Sequence, residues 1–151
     1  MEHGSSRSLH GSSPAPLALI IPKIMNPSNA DDPKCKGISV YALRHVFLKE
    51  VEEAGLTSDS TIYEIEDLQG DPGVIRQKGT DVRCPMTDEI GAAYVHCLEG
   101  EDYVGDATHM LSYTWGYSIG HILGTLEGFC KSKSLDPKRT YVWICSLCNN
   151  Q

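Results

Sequence analysis

The clearest pattern of apolar and polar positions lies in the last third of the chain. Between His109 and Gln151 two short apolar runs flank one amphipathic segment. Thr108 to Trp115 reads as a strand that runs into Gly116. Ser118 is placed to cap a helix whose Ile119, Ile122, Leu123, Leu126 and Phe129 recur at helical spacing. Lys131, Lys133 and Ser134 close that helix with cations near its negative end, and Asp136-Pro137 makes a turn. Thr140 to Leu147 is a near-continuous apolar run, as in a strand buried on both faces. A helix between two such strands predicts a right-handed parallel crossover.

Upstream the signal is weaker. Ser39 to Ala54 predicts a helix, with Leu43, Val46, Phe47, Val51 and Ala54 on one face, Ser39 as N-cap and Gly55 as a left-handed terminator. Thr61 to Ile65 is read as a short strand, and Glu66 to Gly73 as a loop. Val74–Ile75 and Asp81–Cys84 are read as edge strands. Ala92 to Leu98 is ambiguous, and the acidic Glu99 to Asp106 is expected to be solvated. Residues 1–36, rich in Ser, Gly, Pro and Asn, read as a disordered tail. Within it Leu17 to Met25 can dock in extended form, although its prolines bar a central strand. The division predicted is a tail over 1–36, a small acidic α+β region over 37–106 and a strand–helix–strand unit over 107–151.

Composition narrows the classes of function. The formal net charge is -7, and Glu50 to Asp106 holds fifteen Asp or Glu against three Lys or Arg. That sign opposes binding to nucleic acid or an anionic membrane. Six cysteines are spread over the chain, but the only early apolar run, Leu17 to Ile21, is five residues long between prolines. It is too short for a signal h-region or a membrane span, so reduced thiols and a cytoplasmic location are expected.

Two stretches resemble a known family. Leu111-Ser112-Tyr113-Thr114-Trp115-Gly116 resembles the opening motif of the heterokaryon incompatibility (HET) domain, an apolar residue before Ser-Tyr-x-Trp-Gly. Tyr141-Val-Trp-Ile-Cys-Ser-Leu-Cys-Asn-Asn-Gln151 is similar to its second motif, a strand running into Trp-Ile-Asp-x-Leu-Cys-Ile-Asn-Gln. The likeness covers the last forty or so residues, less than a third of the chain. Cys145 stands where the family has Asp, and Asn149 where it has Ile. The resemblance implies a partial TIR/flavodoxin-like parallel sheet and a role in self/non-self or cell-death signalling. Several TIR relatives cleave NAD with a glutamate from a later helix, and the chain ends before such a helix. No cofactor is assigned; NAD is the one the resemblance suggests.

The residues also read on their own chemistry. Ligands of open parallel sheets collect beyond the carboxyl ends of the strands, where Ser112, Tyr113, Trp115 and Gly116 meet Asn150 and Gln151. Gly116 would let the backbone turn into a helix whose N–H groups receive a phosphate. Tyr113, Trp115 and Tyr117 would stack on a ring, and the terminal amides would supply hydrogen bonds. Against this stands a core role for the aromatics. Cys145 and Cys148 form a C-x-x-C after a strand, the place of a thioredoxin-type redox pair. A zinc site would need those two thiols with Cys84, His96 or Cys97, and adjacent His96-Cys97 is poor chelate spacing. His109 and His121 flank the strand ends as possible acids or bases.

The expected protein is thus an α/β fragment whose second strand leaves an unfinished sheet edge. That edge would take a protein partner or a second copy. The favoured function is a non-catalytic interaction or signalling module. The alternatives are a TIR-like NAD-consuming enzyme that needs a further chain, and a dithiol oxidoreductase.

Overall fold

The computed structural model describes residues 19–22, 35–66 and 73–149. These form one mixed sheet with helices packed against it, an α/β architecture. The strands are β1 (Leu19–Pro22), β2 (Lys36–Ser39), β3 (Val104–Asp106), β4 (His109–Ser112) and β5 (Tyr141–Trp143), in the spatial order β1-β4-β5-β2-β3. The predicted crossover is present. β4 and β5 pair in parallel, His109 opposite Val142 and Met110 opposite Trp143, and α5 (Ile119–Lys133) joins them. The other three pairings are antiparallel.

β5 is therefore not an edge. β2 closes its free side through Ile38–Val142 and Ser39–Tyr141, and β1 closes β4. The unfinished edge expected beyond the second strand is filled by residues from the region assigned to a separate unit. One core runs through Ile38, Leu43, Phe47, Tyr94, Leu123 and Val142 alike. Among the described residues the edges are β1 and β3. Leu19–Pro22 lies inside the stretch read as a tail and pairs as an edge strand, the place where Pro22 costs no ladder bond. The rest of that tail lies outside the described residues, apart from Cys35 and Lys36.

The sheet must coil. Three strand spacings, about 14 Å at the usual 4.8 Å, separate β3 from β4 in the strand order, yet only Ala107 and Thr108 link them. Three Cα steps reach at most about 11 Å, so a flat sheet is impossible. Gly105 leaves room for the Tyr141 ring, because a Cβ there would lie 2.5 Å from it. Tyr141 uses the space to donate its hydroxyl to the Glu101 carbonyl at 2.5 Å. The acidic turn before β3 is held to the β5 entrance by Arg139 and Lys138, which pair with Asp102.

The helix predicted over Ser39–Ala54 forms as α1 (Val40–Ala42), a π-helical turn (Leu43–Phe47) and α2 (Leu48–Glu53). Ser39 accepts from the Ala42 N–H at 2.9 Å, and Gly55 takes φ +86°, as the sequence predicts. In the π turn the Leu48 N–H reaches the Leu43 carbonyl five residues back. Leu43, Phe47 and Leu48 are all buried there, whereas Ala54 is exposed. Arg44 grips Glu127 of α5 with two hydrogen bonds, 2.7 and 2.8 Å. On α5, Ile119, Ile122, Leu123 and Leu126 are buried as the spacing requires, while Phe129 is half-buried against His109.

Three predicted strands are not strands. Thr61–Ile65 becomes α3 (Ile62–Glu66), because Thr61 and Glu64 close a reciprocal capping box: the Glu64 N–H donates to Thr61 Oγ1, and the Thr61 N–H to Glu64 Oε2. That local bonding outweighs β-branched propensity. Val74–Ile75 opens α4 (Val74–Gly79), where Glu66 Oε1 accepts from the Ile75 N–H. Asp81–Cys84 is a turn with a single bridge, Arg83 to Ile90. The ambiguous Ala92–Leu98 contains a 3-10 turn, Tyr94–Cys97. Finally, the apolar run from Thr140 stops being a strand at Trp143. It turns at Ile144 into α6 (Cys145–Cys148), so its later apolar residues fill a helical turn.

Candidate functional site

The parallel pair brings the two motifs together at its carboxyl end. Tyr113, just past β4, is half-buried, and its hydroxyl lies 2.7 Å from Oγ of the buried Ser146 in α6. The Cys145 thiol donates to the same hydroxyl at 3.7 Å. Burial holds the Tyr113 phenol well above its ordinary pKa, so it acts as a neutral tie between the two strand ends. Ser112 is exposed. Trp115 is half-buried with its ring edge-on to Tyr63 at 5.5 Å, and its carbonyl accepts from the Tyr63 N–H. Tyr117 is buried and stacked on His121 at 5.1 Å, so its face is already covered. Asn150 and Gln151 lie outside the described residues.

Two roles read from the sequence do not hold. The N-terminus of α5 is closed to a phosphate. The Ile119 N–H donates to the Ser60 carbonyl at 2.9 Å, the Gly120 N–H to the Ser58 carbonyl at 2.7 Å and the His121 N–H to Ser118 Oγ at 3.1 Å. Two of the donors that would bind an anion are spent on the 58–60 loop and the third on the Ser118 cap, and no local pattern marks that loop as their partner. Gly116 is also not required by its turn. Its φ is not positive, and a side chain there would meet nothing nearer than Thr114 Oγ1 at 3.7 Å.

The two thiols of the C-x-x-C start and end α6. A short helix thus does follow the first cysteine, although only one turn of it. Cys148 Sγ accepts from the Ile144 N–H at 3.3 Å, and burial pushes its thiol up to about 12. Among the described residues no group of three or more His, Cys, Asp or Glu is gathered as a metal site. His109 is half-buried, its Nδ1 2.8 Å from Thr108 Oγ1, and burial lowers its pKa. It faces Phe129 rather than the strand ends.

An apolar hollow on the sheet is not among the sites read from the sequence. Ile21, Met110 and Trp143 stand in register across β1, β4 and β5. With Pro22, Cys35 and Ala107 they line a cavity of about 440 Å³. β1 brings Ile21 and Pro22 to it through its pairing with β4. The signal available was the alternation of Ile21, Met110 and Trp143 with core residues, which becomes a face only when the register is known.

The chain matches no family model, no curated protein and no solved structure. No described helix is long and apolar enough to cross a membrane.

Proposed function

We propose that this chain is a non-catalytic interaction or signalling module of HET-like type that works in the cytoplasm through a protein partner. The reading rests on the two motifs, Leu111–Gly116 and Tyr141–Gln151, which carry the resemblance. One observation favours a protein partner over a nucleotide. The N–H groups at the start of α5 are occupied by the Ser58 and Ser60 carbonyls and Ser118 Oγ, so a pyrophosphate would have to displace three hydrogen bonds. Beside them Tyr63, 61% exposed, and the half-buried Trp115 present an aromatic pair to solvent. Such pairs anchor protein interfaces.

The alternative is a TIR-like enzyme that consumes NAD once a further chain supplies a carboxylate. The two readings separate when purified protein is incubated with NAD and nicotinamide release is followed by chromatography. The interaction module leaves NAD intact. Release that disappears in Trp115→Ala would overturn the non-catalytic reading.

A further inference from the structure

We propose that Cys145 and Cys148 are a reversible dithiol–disulfide pair, with Cys145 the thiol that first meets a small disulfide such as oxidised glutathione. The pair sits three residues apart on the single turn of α6. Helical geometry puts such Cα atoms about 5 Å apart, inside the range of roughly 4.4–6.8 Å that a disulfide spans. The two sulfurs are held differently. Cys145 is half-buried beside the Tyr113 hydroxyl, which can turn to donate to a thiolate there. Cys148 points back along the turn, where the Ile144 N–H donates to its sulfur and its own S–H faces the Val142 carbonyl at 3.9 Å. Burial raises the Cys148 thiol and the Ile144 donor offsets only part of that, so Cys148 is the thiol that attacks second.

The chemistry balances in two exchanges. The Cys145 thiolate attacks one sulfur of oxidised glutathione, forming a mixed disulfide and expelling glutathione thiolate. Cys148, giving its proton to solvent, then attacks the Cys145 sulfur and expels the second glutathione. In sum two protein thiols are oxidised and one glutathione disulfide is reduced to two thiols. Closing the bond takes Cys148 away from the Ile144 N–H and Cys145 away from Tyr113. The tie between the ends of β4 and β5 is therefore coupled to redox state. The inference does not depend on the interaction-module reading.

The test uses the whole chain. Trypsin cleavage after Arg139 releases residues 140–151, which contain both cysteines and no other. After equilibration of the native protein with oxidised and reduced glutathione, acid quenching and digestion, this peptide is expected lighter by two hydrogens, and dithiothreitol should restore it. Cys148→Ser is expected to retain glutathione on Cys145, and Cys145→Ser to leave the peptide unmodified. The same titration in urea needs no variant, and there the poise at which the disulfide forms should shift, since the folded turn both holds the two cysteines in reach and gives up the Ile144 and Tyr113 contacts on closure. A native peptide that keeps both thiols, or one that oxidises at the same poise in urea, would overturn the proposal.

Discussion

Gly79, the last residue of α4, offers a sharp test of the packing. A Cβ on Gly79 would lie 1.8 Å from the Ala92 carbonyl oxygen, where real contacts stay beyond 3.0 Å, so the two backbones must part by about 1.2 Å. Ala92 cannot give way freely, because its N–H is shared between the Gly79 and Val82 carbonyls at 3.1 Å each. Overpacking of this kind costs about 1–3 kcal/mol and a weakened hydrogen bond about 1, against about 1 recovered from alanine's helix propensity. Gly79→Ala is therefore expected to destabilise by roughly 2 kcal/mol, a fall in melting temperature of about 4–8 °C. Urea unfolding followed by circular dichroism measures it, and exchange at the Ala92 amide should quicken in parallel. A variant within 0.5 kcal/mol of the parent, or a more stable one, would refute the contact between α4 and the segment that leads into Tyr94.

Other variants probe the strand ends and the helix caps. Tyr113→Phe leaves the buried Ser146 hydroxyl without its phenol partner and is expected to cost about 1–2 kcal/mol in urea melts. Gly116→Ala should fold with unchanged stability within about 0.5 kcal/mol, since neither φ nor space demands glycine there. Thr61→Ala breaks the capping box of α3 and should cost about 1 kcal/mol. The Arg44 guanidinium holds the Glu127 carboxyl below its ordinary range. A carboxyl depressed in the folded state adds stability above its unfolded pKa, near 4.3, and that stability is lost as pH falls through the lower folded value. Both side chains are more than a third exposed, so screening keeps the contribution below about 1 kcal/mol. Glu127→Gln should flatten the acid limb of a stability-versus-pH curve by that much.

The parts of the fold legible in the sequence were those governed by local spacing. Ser118 and Ser39 cap helices, and Gly55 ends one, because cap chemistry acts within a few residues. The crossover was legible because an amphipathic helix between two apolar runs has few other solutions. Thr61–Ile65 misled because its composition suits a strand, while Glu64, three residues on, decides for a helix. The short strands β2 and β1 were hidden, since Lys36–Ser39 and Leu19–Pro22 gain their identity only from the partners they pair with. The same holds at the candidate site. Tyr113 and Trp115 could be named, but the Ser58 and Ser60 carbonyls that close the α5 N-terminus come from some sixty residues upstream.

The account depends most on β4 and β5 lying side by side in the same direction. A nuclear Overhauser experiment on isotope-labelled protein tests this directly. It should give interstrand contacts in the parallel pattern with His109 opposite Val142 and Met110 opposite Trp143, together with a protected Thr108 amide bonded to the Tyr141 carbonyl. An antiparallel pattern, or no contact between residues 109–112 and 141–143, would contradict the fold and remove the basis for the site built on it.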